Sequence, residues 1–389
     1  MSTADVIVVG LGAVGSAVAH HLAAGGAHVI GLDRFAPPHD QGSSHGATRI
    51  TRLAIGEGEE YVPVVQRSHA LWRALEAETD ETLMTATGGL MIASAASDHR
   101  AYHGQAGFFD RTVAAAERFG IVHERLDAAE IRRRFPAFMP RDDERGYWER
   151  DAGILSPERC VTAQLQAARS RGADLRYGSV VESIESLPGA AAVTVVTRAG
   201  RLSAAQVVIA AGAWLPTLLP SAPAARFKVQ RQVLHWFAAN DPALFEPGLC
   251  PVFIWIHGDN GASFYGFPKA DGFEGVKVAT EQTERATTAD SIDRVVTDAE
   301  TALTFETHIR GRLRSLTPRS VHDATCLYTS TADSRFVVDR HPQWPDVTVV
   351  SACSGHGFKH SAALGEAVAD SVLGKAPRID LSSFATLRA

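Results

Sequence analysis

The segment Gly10-Leu11-Gly12-Ala13-Val14-Gly15 places three glycines at a spacing that does chemistry through the backbone. Gly10 permits a tight turn, Gly12 lets the main chain approach a pyrophosphate, and Gly15 allows a helix to pack closely on a strand. Asp33, 18 residues after Gly15, offers a carboxylate to ribose hydroxyls. Arg34 follows it, readable as a cofactor contact or as an ordinary surface arginine. The elements that must position these groups are present. The β-branched run Val6 to Val9 precedes the glycines, an Ala-rich helical stretch from Ser16 to Ala24 follows, and the apolar run Val29 to Leu32 ends at Asp33. Strand, turn, helix and strand in that order aim unpaired N–H groups and a positive helix end at a phosphate. The pattern predicts dinucleotide binding, and by itself does not separate FAD from NAD.

Other features narrow the class. The 389 residues are 45% hydrophobic and 21% charged, as in a soluble globular protein of two or three domains. A formal net charge of -6 argues against a nucleic-acid partner. The dense basic run Arg132-Arg133-Arg134 reads as a solvated helix face. Four widely spaced cysteines, Cys160, Cys250, Cys326 and Cys353, make neither a disulfide framework nor a metal pattern, so no metal is expected. The start, Met1-Ser2-Thr3-Ala4-Asp5, has no basic leader, and no apolar run approaches the ~20 residues of a membrane span. The expectation is a cytoplasmic protein without a membrane segment.

Along the chain, Pro37 to Gly58 is rich in Pro, Gly, Ser, His and Arg and predicts a long ordered loop that carries function. Helical patterns cover Tyr61 to Glu78, Arg111 to Phe119, Ala128 to Phe135, Cys160 to Arg171 and Ser361 to Leu373. Short strands are expected at Val180–Ile184, Ala192–Thr197, Val207–Ala210 and Val347–Val350. The aromatic and β-branched stretch from about Gln230 to Thr280 predicts a separate sheet that roofs a pocket. The expected fold class is α/β (α+β): a Rossmann-like cofactor-binding domain and a second, mixed β-sheet substrate domain. Residues 1–85, 150–225 and 325–389 would form the discontinuous cofactor domain, and 86–149 with 226–324 the substrate domain.

Several segments then converge on a family. These are Gly42-Ser43-Ser44-His45-Gly46-Ala47-Thr48-Arg49-Ile50-Thr51-Arg52, Gly56-Glu57-Gly58-Glu59-Glu60-Tyr61-Val62-Pro63, Tyr265-Gly266-Phe267-Pro268, Cys326-Leu327-Tyr328-Thr329 and Gly355-His356-Gly357-Phe358-Lys359. In this order across nearly the whole chain they resemble monomeric sarcosine oxidase and N-methyltryptophan oxidase, FAD-dependent amine oxidases. The strand Val207–Ala210 running into Ala211-Gly212 is similar to FAD enzymes of the same architecture. The resemblance implies an oxidase of secondary amino acids such as sarcosine, with O₂ reduced to H₂O₂, working as a monomer. It implies FAD joined covalently to Cys326, with Cys353 as the competing thiol, and cofactor contacts from Ser43, Thr48, Gly355, Gly357 and Phe358. Arg52 and Lys359 match the cations that clamp a substrate carboxylate, and Tyr265 and Tyr328 match aromatic positions around the substrate. His45 and Arg49 match residues over the flavin, and Lys277 matches the lysine that promotes oxygen reduction. Glu281 departs from the pattern: sarcosine oxidases usually carry a histidine four residues beyond that lysine. A glutamate there resembles fructosyl amino acid oxidases, where the acid meets sugar hydroxyls. Leu53 and Ile55 likewise replace a His and a Tyr. A fructosyl amino acid oxidase, a pipecolate-type imino acid oxidase and, in another class, an NAD(P)-dependent dehydrogenase remain the alternatives.

Overall fold

The computed structural model describes residues 3–99, 102, 103, 105–186, 192–258, 261–270 and 272–387; Met1 and Ser2 of the leader reading lie outside them. Strand β1 (Ala4–Val9), helix α1 (Ala13–Ala24) and strand β2 (Val29–Leu32) open the chain in the expected order. β1 pairs in parallel with β2 on one side and with Gly200–Ile209 on the other. Its pleat sends Val6 and Val8 into a cluster with Val18, Leu22, Leu364 and Val368, while Ile7 and Val9 enter one with Ile184, Val195 and Leu215. Both faces of the strand are therefore covered, which is why its sequence is a continuous apolar run rather than an alternating one. The sheet grows outward to eight strands, adding Asp174–Arg176, Val181–Glu185, Val193–Thr197, Val337–Arg340 and Val347–Ser351.

A second eight-stranded sheet runs in the order Leu316–Ser330, Lys228–Ala239, Val276–Ala279, Ala262–Gly266, Val252–His257, Gly89–Ser94, Glu144–Glu149, His123–Asp127. It is mixed, since Val252–His257 and Gly89–Ser94 are parallel whereas the other neighbours are antiparallel. The fold class is thus α/β (α+β) with a Rossmann-like layer and a mixed sheet. Leu316–Ser330 begins inside the expected substrate domain and ends in the cofactor domain, so the sequence boundary at residue 325 cuts a single 15-residue strand.

Helices Tyr61–Thr79, Phe108–Arg118, Ala128–Arg134, Pro157–Ser170 and Ser361–Val372 lie where the periodicity predicts them. Two expectations need correction. The strand at 207–210 is the end of a ten-residue strand, Gly200–Ile209, whose polar first half pairs with Val193–Thr197 in a hairpin. The long loop from Pro37 to Gly58 contains a short strand, Arg49–Thr51, paired with Gly153–Leu155 in a three-stranded sheet. The three arginines at 132–134 do form a solvated face, paired with Asp142, Glu130 and Glu124. No helix among the described residues is long and apolar enough to cross a membrane.

Candidate active site

One cavity of about 250 Å³ runs from the β1–α1 turn to the mixed sheet. Its first end is backbone chemistry. Gly10 takes φ +88°, a conformation that favours glycine, and a Cβ on Gly15 would overlap the Gly10 carbonyl. Gly12 is the N-cap of α1, whose first turn holds no acidic side chain. Asp33 is buried at the end of β2, with one oxygen accepting from Leu11 N (2.8 Å) and the other from Phe35 N (2.8 Å). Oδ2 keeps a second lone pair for a ligand hydroxyl, while Oδ1 is also faced by His39 Nε2 at 3.5 Å. Arg34 also lines the cavity, but its guanidinium pairs with Asp290 (3.0 Å) and lies over Trp214. This end fits FAD or another dinucleotide: a side-chain-free turn, a positive helix end and a buried carboxylate stand on one continuous cavity.

The middle is built by the loop and the mixed sheet. Strand periodicity sets Val276 and Val278 into an aromatic core with Phe237, Phe253 and Trp255, so Lys277 and Ala279 face the opposite side, toward the cluster of Leu234, Trp236 and Cys326. Cys326 and Tyr328, two apart on their strand, share a face and line the cavity. Burial pushes the Cys326 thiol up, and Arg49 and Lys277 pull it partly back. Cys353 lines the same cavity. Arg49 donates to the carbonyls of Ser43 and Thr48, and Ser43 Oγ donates to the Leu327 carbonyl, tying the loop to the Cys326 strand.

Lys277 and His45 stand one step behind the cavity wall rather than on it. Lys277 Nζ donates to the carbonyls of Gly46 (2.6 Å) and Thr48 (3.0 Å) and faces the rings of Phe267 and Trp236. Burial, with Arg49 nearby, holds its pKa well below the usual lysine value. His45 is held neutral, with a pKa lowered to about 3 by burial, then by Arg49 and Lys277. Its Nε2 is buried without a hydrogen-bond partner among the described residues.

The far end gathers ionisable side chains from five separate segments. Arg52 donates to the Ala54 carbonyl and to Glu57 Oε2 (2.7 Å). Glu149, 1% exposed, accepts from Leu53 N (2.6 Å) and Ala54 N (3.0 Å) and so fixes the backbone that carries Arg52. Lys359 comes from the turn between Val347–Ser351 and Ser361–Val372; its Nζ donates to the His356 carbonyl (2.7 Å) and lies 3.8 Å from Glu57 Oε1. Burial lowers the Lys359 pKa to about 8, although Glu57 opposes the shift. Burial would raise the Glu57 carboxyl, but Arg52, Lys359 and a hydrogen bond from His103 outweigh it and hold the group well below the usual carboxylate range. Tyr265 and Tyr328 touch through their hydroxyls (3.3 Å), and Glu281 hydrogen-bonds His103. A Cβ on Gly355 would come within 2.8 Å of Glu281 Oε1 and 2.9 Å of Tyr328, so this glycine, at φ +82°, leaves the room they occupy.

The cavity lining thus brings together Gly10, Gly12, Asp33, Arg34, Ser43, Thr48, Arg49, Arg52, Tyr265, Glu281, Cys326, Tyr328, Gly355, Gly357, Phe358 and Lys359. Gly15 does its work in packing. Sequence reasoning missed Glu57, His103 and Glu149. Glu57 carried a signal, an acid between Gly56 and Gly58 in a segment of the family resemblance where it was given no role, whereas His103 and Glu149 sit in no motif.

A family model, "FAD dependent oxidoreductase" (DAO), matches residues 5–371. A monomeric sarcosine oxidase from Streptomyces avermitilis is 40% identical over 95% of this chain and 94% of its own length. An N-methyl-L-tryptophan oxidase from Salmonella newport is 33% identical over 98% and 97%. Among solved structures, NikD, an unusual amino acid oxidase essential for nikkomycin biosynthesis, superimposes with a TM-score of 0.82 at 23% identity, covering 99% of this chain and 98% of that one. The chain therefore belongs to the DAO family of FAD dependent oxidoreductases.

Proposed function

We propose that this protein is an oxidase of secondary (N-methyl) amino acids such as sarcosine, which oxidises the C–N bond to an imine that hydrolyses and reduces O₂ to H₂O₂. The observation that carries this reading is the pair of buried cations, Arg52 and Lys359, at the end of the cavity opposite the dinucleotide turn. FAD, when bound, supplies the two-electron acceptor and returns those electrons to oxygen. Gly10, Gly12, Asp33, Ser43, Thr48 and Arg49 would hold it, and Cys326 would carry it covalently.

The remaining chemistry belongs to the chain. Arg52 and Lys359 bind the substrate carboxylate and so fix where the neighbouring C–H points. Tyr265 and Tyr328 wall the site with aromatic surface and exclude water. Lys277 places its amino group behind the Gly46–Thr48 turn, where a proton there offers positive charge to reducing oxygen. The fructosyl amino acid reading keeps one observation in its favour, the Glu281 carboxylate on the cavity wall. We assign the two domains as divided by the sequence, except that the strand Leu316–Ser330 runs across the boundary at residue 325, and a cytoplasmic monomer.

Anaerobic absorbance titration of the purified protein with sarcosine, other N-methyl amino acids, pipecolate and a fructosyl amino acid tests the reading. Bleaching by an N-methyl amino acid, with recovery in air and H₂O₂ release, is the expected result. Bleaching by the fructosyl compound alone would replace it. For the covalent link, Cys326→Ser is expected to leave a colourless pellet after acid precipitation where the native protein leaves a yellow one.

A further inference from the structure

His103 lies outside every motif of the sequence, yet both of its ring nitrogens are taken. Nδ1 is 3.1 Å from Glu57 Oε1, and Nε2 hydrogen-bonds Glu281 Oε1. Tyr102 stacks on the ring at 4.2 Å, Phe108 meets it edge-on, and the His356 ring is 5.1 Å away. The residue keeps φ +46°, a strained backbone region for a histidine, so these contacts hold it against a local cost.

Ionised carboxylates only accept hydrogen bonds, so a ring facing one on each side carries a proton on each nitrogen. The buried cluster around His103 then holds three cations, Arg52, Lys359 and His103, against two anions, Glu57 and Glu281, while burial raises the Glu149 carboxyl behind Arg52 toward its neutral form. One positive charge is left over, and a single substrate carboxylate balances it. Without the His103 charge the same carboxylate would enter as an uncompensated anion in a buried site, which is costly.

We propose that His103 is a positioning residue for substrate binding: it serves as counter-ion to Glu57 and Glu281, so that Arg52 and Lys359 keep one net positive charge for a substrate carboxylate. The inference rests on the carboxylate-binding reading above and deepens it. The selected substrates are amino acids with one carboxylate, an uncharged side chain and a neutral nitrogen; a second carboxylate or a cationic side chain would leave the cluster unbalanced.

The groups that face His103 are Glu57, Glu281, His356 and Tyr102, with Arg52, Lys359 and Tyr328 around them. Glu281 and Glu57 raise its pKa to about 9 against the effect of burial. His356 is held neutral, its pKa lowered to about 3 by burial. Charge on His103 is therefore present at neutral pH and lost above about pH 9.

The test uses FAD-loaded protein and acetate as the probe, read by the change in flavin absorbance, with acetamide as the uncharged control. His103→Gln is expected to weaken acetate at least 10-fold and leave acetamide unchanged, and His103→Lys to restore much of the loss. The native protein should lose acetate affinity in two steps, through pH 8 with Lys359 and through pH 9 with His103, and only the second should be absent in His103→Gln. Acetate binding within twofold of native in His103→Gln, while Arg52→Met abolishes it, would overturn the His103 role alone. Equal weakening of acetate and acetamide, unrescued by lysine, would overturn it in favour of a packing role. No acetate binding by native protein that carries its flavin would overturn the carboxylate reading and this inference with it.

Discussion

The two ends of the cavity are made in opposite ways. At the dinucleotide end, the working groups are main-chain N–H groups, absent side chains and one carboxylate, Asp33, all within the first 33 residues. At the other end, the working groups are side chains drawn from four segments: Arg52 and Glu57 on a loop, His103 beyond Gly89–Ser94, Glu281 after Val276–Ala279, and Lys359 before the last long helix. The first end can be encoded locally and tolerates almost no change of residue. The second depends on distant pairings and can be retuned one side chain at a time, which is where substrate preference can diverge within a family.

The largest effect should come from the local end. Gly15→Val must displace the Gly10 carbonyl, so the expected outcome is no flavin-loaded protein, read as the absence of a bound-flavin absorbance band and a collapsed Tm. A variant that folds and stays yellow would break the contrast. At the distributed end, Lys359→Met should keep the flavin but lower kcat/KM for an N-methyl amino acid about 1,000-fold, because Glu57 loses a partner as well as the substrate losing its clamp. Lys277→Met, on the seam between the two ends, should slow reoxidation of the reduced protein by O₂ about 100-fold in stopped flow and leave anaerobic reduction nearly unchanged. Reduction slowed equally would move Lys277 to the substrate end. The smallest effect is with pH. The lowered Lys359 pKa, about 8, means the ammonium is present below that value and lost above it. Substrate affinity should thus be full at pH 7 and fall through pH 8, up to about tenfold per unit. A flat affinity from pH 7 to 9 would remove Lys359 from the clamp.

The same contrast explains what could be read from sequence. The β1–α1–β2 unit was legible because spacing, strand and helix all sit within one short window. Lys277, Cys326 and Tyr328 were legible through resemblance, and strand periodicity gives Cys326 and Tyr328 a common face. His103 was not legible: it is a solitary histidine with no periodic neighbours, and its partners are 46 and 178 residues away. Glu281 was singled out as a departure, but its engagement with His103 follows only from three-dimensional pairing. The strand at Arg49–Thr51 was missed because three residues in a polar loop carry no hydrophobic alternation, and its partner is Gly153–Leu155.

Gly365 in the helix Ser361–Val372 lies so close to Ala17 of α1 that a Cβ there would overlap it, so one of the first helices of the chain is sealed by one of the last. A ribosome adding roughly 5–20 residues per second needs on the order of 20–70 s to travel between those two contacts. Throughout that interval the apolar flank of α1 and one edge of β1 are made but uncovered, since the β1 partner Gly200–Ile209 also arrives late. The phosphate-binding turn is thus the first part of the protein to be synthesised and one of the last to be completed. Truncations that remove the C-terminal helix should accordingly cost the cofactor rather than the substrate, even though none of that helix is needed to write the glycine motif.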